Sequence, residues 1–266
     1  MNDNKTPRPL ILISNDDGYY AGGIKELTRI ACDYGDVLVV APATHQSGQA
    51  SAITISVPVV AHKVEEREGF IGYSVVGTPA DCAKLAIDQC LGGRMPDLVL
   101  SGINHGFNSG NSVIYSGTMG VVFEGLFHGI HSVAFSYGSY GQHTDFSPCE
   151  PVVRHVIERV LAQGLPPHVC LNVNIPLVEH ATDLKGVKVT RGALGRWQGE
   201  FEHRVNPFGE DYYWITGDFV EEDPNDTLND TYWLKRGWVS VTPVHADQTD
   251  YEAMDTIAAL VGNKDN

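Results

Sequence analysis

The apolar run Leu10-Ile11-Leu12-Ile13-Ser14 breaks directly into Asn15-Asp16-Asp17-Gly18, and this junction constrains the fold more than any other stretch of the chain. A short continuous apolar segment is the signature of a strand buried on both faces, as in a parallel sheet. Two adjacent carboxylates follow where that strand leaves the sheet, and a glycine then permits a sharp turn. Side by side the two anions repel unless positive charge sits between them. Such pairs at strand ends suit a hard divalent cation with oxygen ligands. An isolated Asn-Asp-Asp-Gly reads more simply as a surface turn, so the weight falls on what the rest of the chain places beside it.

The first two thirds of the sequence alternate between strand and helix patterns. Ile24, Leu27, Ile30 and Ala31 mark one face of a helix ending near Gly35, and Val37–Ala41 is a second buried strand. It exits into the polar loop Pro42–Gly48. Ala52–Val60 and Gly69–Val76 read as extended or hairpin segments. Gly77-Thr78-Pro79-Ala80-Asp81 is a helix start, with Thr78 as cap, Pro79 in the first helical position and Asp81 completing a capping box. Asp97–Ser101 predicts a strand, Val121–Phe127 a helix and Ser132–Phe135 a further strand. The alternation predicts an α/β fold with a doubly wound, mostly parallel sheet. Past Pro176 the composition shifts. Tyr212–Ile215 and Trp238–Val241 read as strands of a smaller C-terminal part, closed by a helix from Tyr251 to Val261. The expected organisation is a core over residues 1–180 and a hairpin-and-helix part over residues 181–266.

Charge and motif content exclude several functions. A net charge of −15 over 266 residues argues against long nucleic acids, which require a basic surface. A small phosphorylated ligand stays possible where a metal or helix N-termini supply local positive charge. The five cysteines are scattered without a C-x-x-C pair and read as free thiols of a reducing compartment. The polar start, Met1–Pro7, has no apolar segment of a secretory signal, and no run approaches a membrane span; the expected location is the cytoplasm. There is no P-loop, no G-x-G-x-x-G fingerprint, no G-x-S-x-G elbow and no H-E-x-x-H.

In open α/β sheets ligands bind beyond the carboxyl ends of the strands, where strand order reverses. The first strand delivers Asp16 and Asp17 there, the second the loop with Ser47, and the Asp97–Ser101 strand the segment Gly102–Asn108. An oxygen-rich set of this kind favours Mg²⁺, Mn²⁺ or Ca²⁺ over zinc. Tyr115-Ser116-Gly117-Thr118-Met119-Gly120 opens the next helix. Its small residues could form an anion site of backbone N–H groups, although Ser and Thr are also ordinary helix caps.

These same stretches closely resemble the SurE family, the stationary-phase survival nucleotidases. The matching segments are Ile13–Gly18, Val40–Pro42 with Gln46–Gly48, Gly77–Cys82, Pro96–Asn108, Tyr115–Thr118 and Gly237–Val244, in family order over roughly residues 9 to 250. The resemblance implies a Rossmann-like core and a metal-dependent phosphomonoesterase for nucleoside 5′- and 3′-monophosphates, with short polyphosphate as a further substrate. It carries the metal ligands onto Asp16, Asp17, Ser47 and Asn104, with one divalent ion, Mg²⁺ or Mn²⁺, per subunit. It carries the phosphate contacts onto Ser116, Gly117 and Thr118, with Asn108 as a further one, and catalysis onto Asp16, Asp17 and Thr118. It also implies homodimers or homotetramers built through the C-terminal part. The chain departs from the family pattern after Gly48, at Asn111-Ser112 and between Asn225 and Leu234, all outside the metal set. A non-catalytic nucleotide or metal sensor on the same fold, and an interaction protein working through its hairpins, are the rival readings.

Overall fold

A computed structural model describes residues 8–141 and 143–262; the polar start read above, residues 1–7, lies outside them. Strand β1 (Leu10–Ser14) is buried at every position and leads through the Asp16-Asp17 turn into helix α1 (Gly22–Ala31). Strands β2 (Asp36–Pro42), β3 (Val60–Arg67) and β4 (Phe70–Val76) follow, then helix α2 (Pro79–Leu85), which runs on through a π-helical turn, Ala86–Cys90. Next come β5 (Leu98–His105), α3 (Gly117–Phe127), β6 (His131–Tyr137), α4 (Glu150–Gln163) and β7 (Cys170–Ile175). The C-terminal third contains β8 (Val187–Val189), β9 (Gly195–Gln198), β10 (Phe201–Val205), β11 (Asp211–Ile215) and β12 (Asp218–Glu221). Helix α5 (Asp230–Leu234), strand β13 (Val239–Val244) and helix α6 (Met254–Leu260) complete it.

Nine strands form one sheet in the order β3-β4-β2-β1-β5-β6-β7-β13-β8. From β4 to β7 every pairing is parallel; β3 pairs antiparallel with β4, and β13 antiparallel with β7. The order reverses between β1 and β5, which is where such a sheet opens a crevice for ligands. The helices cover both faces, as the predicted doubly wound fold requires. Ile24, Leu27 and Ile30 of α1 and Val153, Ile157 and Val160 of α4 pack with Ile11, Ile13, Leu98 and Leu100 on one face. Cys82 and Ala83 of α2 and Val121 of α3 pack with Leu12, Val40 and Val99 on the other. Each fully buried Ile or Leu in these layers contributes about 1.5–3 kcal/mol.

Four placements differ from the sequence expectation. The first arm of the hairpin is Val60–Arg67 rather than Ala52–Val60, because β3 is an edge strand exposed at every residue and carries charge instead of an apolar pattern. Strand β5 runs four residues past Ser101, through a register shift between Ser101 and Asn104. Gly102 sits at that shift with φ +117°, and a Cβ there would lie 2.3 Å from the Phe135 carbonyl oxygen. Helix α3 begins at Gly117 rather than near Val121. Strand β13 belongs to the main sheet and not to a separate C-terminal layer. Outside that sheet, β9 pairs with β12 and β10 with β11, forming an arm, residues 195–221, whose β10 and β11 residues are all exposed. No helix among the described residues is long and apolar enough to cross a membrane.

Candidate active site

The turn after β1 is built by Asn15, a residue that sequence reasoning passed over. Its Oδ1 accepts from the Gly18 N–H at 3.2 Å and its Nδ2 donates to the Gly18 carbonyl at 3.0 Å. This closes an Asx-type loop that Gly18, at φ +105°, can enter without strain. The loop after β2 is stitched to it: Tyr19 N–H donates to the Pro42 carbonyl at 2.8 Å, and Gln46 N–H to the Asp16 carbonyl at 2.7 Å. These bonds bring Ser47, exposed on the second loop, beside the two aspartates.

Asp16 is buried, and its Oδ1 accepts from the Thr118 hydroxyl at 2.6 Å. Burial pushes its carboxyl up to about 6; the Thr118 bond opposes that shift and the neighbouring Asp17 adds to it. Asp17 Oδ2 accepts from the His105 main-chain N–H at 3.1 Å, and His45 Nδ1 lies 3.5 Å from Asp17 Oδ1. Burial raises this carboxyl too, against the opposing pull of the His105 N–H. Two desolvated carboxylates side by side, with so little positive charge near them, form a pocket whose ionised state needs a cation.

Asn104 comes from the end of β5. Its Nδ2 donates to the carbonyls of His105, at 3.1 Å, and Gly106, at 2.9 Å. With the nitrogen pinned by two acceptors, Oδ1 is the atom left for a ligand. Asp16, Asp17, Ser47 and Asn104 thus supply carboxylate, hydroxyl and amide oxygens, a hard donor set that fits Mg²⁺ or Mn²⁺. Among the described residues no cluster of three or more His, Cys, Asp or Glu could hold a metal, so an ion here would need neutral oxygens beside the two carboxylates.

The start of α3 meets the same point from the other side. Ser116 caps the helix, its Oγ accepting from Met119 N–H at 3.1 Å. The N–H groups of Gly117 and Thr118 have no acceptor among the described residues. A Cβ at Gly117 would lie 2.8 Å from Asp16 Cβ and 2.9 Å from Pro79 Cγ, so only glycine lets the helix end approach the carboxylate so closely. Of the residues expected around a phosphate, Ser116 uses one hydroxyl lone pair on the cap and keeps its O–H to donate, and Thr118 turns its hydroxyl onto Asp16. Asn108 is locked behind them. Its N–H donates to Asn174 Oδ1 at 2.8 Å, its carbonyl accepts from Asn172 Nδ2 at 2.6 Å, and its Nδ2 donates to Ser136 Oγ at 2.9 Å.

A cavity of about 550 Å³ opens over this set, lined from the sheet by Asp16, Ser47, Asn104, Asn108 and Ser116. Trp197, Glu200, Ile215 and Thr216 of the arm line it as well. Of these arm residues only Ile215 falls in a segment that reads as a strand; Trp197, Glu200 and Thr216 carry no local signal in the sequence. A second cavity, of about 490 Å³, is lined by Asp17, His45, Ser47, His105 and Tyr140.

A family model described as "Survival protein SurE" matches residues 11–199. A protein named 5′-nucleotidase SurE from Bacteroides fragilis is 43% identical over 250 residues, 94% of this chain and 96% of its own length. Its namesake from Christiangramia forsetii is 45% identical over 254 residues, 95% of this chain and 96% of its own. The crystal structure of the SurE protein from Aquifex aeolicus superposes with a TM-score of 0.81 at 36% identity, covering 95% of this chain and all of that one.

Proposed function

The chain belongs to the SurE family, and from that premise we propose that it is a metal-dependent phosphomonoesterase that hydrolyses nucleoside monophosphates to nucleoside and phosphate. The observation that carries this reading is the Thr118–Asp16 hydrogen bond of 2.6 Å, which joins a cation site to an anion site. A mere binder of either ion needs only one of them.

Asp16, Asp17, Ser47 and Asn104 would hold one divalent ion per subunit, Mg²⁺ or Mn²⁺. When bound, that ion supplies Lewis acidity to a phosphoryl oxygen and offsets its charge. The free N–H groups of Gly117 and Thr118, at the positive end of α3, hold the remaining phosphoryl oxygens as charge grows on them. Asn108 is the further contact, its backbone fixed by Asn172 and Asn174. Thr118 keeps one Asp16 oxygen occupied and so orients the other. One of the two aspartates accepts a proton from water as that water attacks phosphorus in line; the ester bond to the sugar oxygen breaks, and that oxygen takes up a proton. Attack by water, rather than by Asp16 through an acyl phosphate, agrees with the absence of a D-x-D nucleophile pattern at this turn.

The reading extends to 5′- and 3′-monophosphates and to short polyphosphate. It also extends to a cytoplasmic homodimer or homotetramer joined through residues 181–266. The exposed apolar side chains Phe208 and Ile215 on the arm and Leu260 and Val261 at the end of α6 support such an assembly, and five free cysteines support a reducing compartment. The test is phosphate release from a panel of nucleoside monophosphates with Mg²⁺, Mn²⁺ or EDTA. Release is expected with metal only, and Asp17→Asn is expected to lower it by about 100-fold or more. No release with either metal would turn the reading to a sensor that binds without turnover.

A further inference from the structure

A nucleotide anchored by its phosphate at the sheet end of the larger cavity must lay its base against another part of the wall, and the arm supplies that part. Trp197 is held edge-on by Phe219, with ring centroids 5.8 Å apart and an interplanar angle of 61°. Phe219 is seated in turn over Gly195, where a Cβ would lie 2.7 Å from its Cζ. The indole is therefore a fixed platform, although 38% exposed. A flat aromatic face stacks on any base and does not choose between them.

The polar atoms beside it do choose. Thr216 spends its only hydroxyl proton on the Gly199 carbonyl, at 3.0 Å, and keeps only lone pairs for a ligand. Glu200 is an acceptor at both oxygens and takes no part in the arm's ion pairs among the described residues, which join His203 to Asp211, Arg204 to Glu202 and Glu221 to Lys235. A wall of acceptors matches an edge of donors. Guanine presents two adjacent donors, N1–H and the N2 amino group, in the spacing of a carboxylate. Adenine presents an acceptor at N1, which a carboxylate repels, and cytosine likewise at N3.

Resting on the nucleotidase reading above, we propose that Glu200 sets base preference, its carboxylate accepting from N1–H and N2–H of a guanine stacked on Trp197. The test compares kcat/KM for GMP, AMP and the base-free ribose 5-phosphate, with Mg²⁺, in the wild type, Glu200→Gln and Trp197→Ala. The wild type is expected to favour GMP over AMP by about tenfold, the low end for hydrogen bonds to a charged group at a partly wet site. Glu200→Gln should bring that ratio to within about twofold, and Trp197→Ala should bring both purine nucleotides down toward ribose 5-phosphate. Each ratio is internal to one variant, so a general loss of activity cancels. A wild type indifferent to the base, or a ratio that survives Glu200→Gln, overturns the proposal while leaving the nucleotidase reading intact. No phosphate from any of the three substrates brings down both.

Discussion

Burial works against the ionised form of Asp16. Its carboxyl is raised to about 6 by burial, even with the Thr118 hydroxyl donating to it. Relative to an unfolded value near 3.8, this costs the metal-free fold on the order of 3 kcal/mol at neutral pH. The sign follows from linkage: because the folded value lies above the unfolded one, the penalty is absent below about pH 4 and grows as pH rises through about 6. In EDTA at pH 7.5, Asp16→Asn should therefore raise the melting temperature by roughly 3–10 °C, since the amide oxygen still accepts from Thr118 and no charge is buried. The gain should shrink as the pH falls toward 4, and Mg²⁺ should stabilise the wild type more than the variant. A variant less stable than wild type in EDTA at pH 7.5 would contradict this account of the site. The paired carboxylates were legible in the sequence because adjacency and a strand end are local facts. That the Thr118 hydroxyl donates to Asp16 was not, because it depends on the exact turn at which a helix 102 residues away begins.

That turn is the point at which the element scale matters most. The apolar run from Val121 announced a helix, but Gly117-Thr118-Met119-Gly120 has weak helix propensity and hid its first turn. Tertiary packing sets the true start: Gly117 meets Asp16, and a Cβ at Gly120 would lie 2.5 Å from the Ala50 carbonyl. The buried strands were readable for the opposite reason, since β1 and β2 lie under helices on both faces and show unbroken apolar runs, and β5 opens on the apolar Leu98-Val99-Leu100. The charged edge strand β3 has no such run and was misplaced. Gly117→Ala separates propensity from site geometry. In an open helix the change would stabilise by up to about 1 kcal/mol. Here the added methyl pushes α3 off Asp16, so kcat/KM for any monophosphate should fall by about 100-fold, as displacements near 1 Å do in such sites. Activity near wild type in a more stable Gly117→Ala protein would show that the helix end does not need its close approach.

At the scale of the whole molecule, the C-terminal third does more than append hairpins to a finished core. Strand β13 returns to pair antiparallel with β7 and carries β8 as the last strand, so the chain's end completes the sheet. Local patterns predicted β13 as a strand but could not say which sheet it joins, because that partner lies about 70 residues back. The same holds for Asp230. It is fully buried, its Oδ2 accepting from Gly110 N–H at 2.8 Å and its Oδ1 from Ala193 N–H at 3.0 Å and Thr231 N–H at 2.7 Å. One carboxylate thus ties the segment before α3, the root of the arm and the start of α5 together. Burial raises its carboxyl, and the three N–H donors oppose that rise. Asp230→Ala leaves three buried N–H groups without an acceptor, a loss of about 3 kcal/mol or more, and should lower the melting temperature by roughly 6–12 °C. Because the arm root and the segment leading to Tyr115 and Ser116 are released together, kcat/KM should also fall. Mn²⁺ affinity should stay within about threefold, since Asp16, Asp17, Ser47 and Asn104 sit on other segments and distant sites act nearly independently. Calorimetry for Mn²⁺ binding beside phosphate-release kinetics checks both halves. A large loss of Mn²⁺ affinity would mean that the C-terminal third supports the cation site itself, and an unchanged melting temperature would mean that the three bonds do not hold these three segments together.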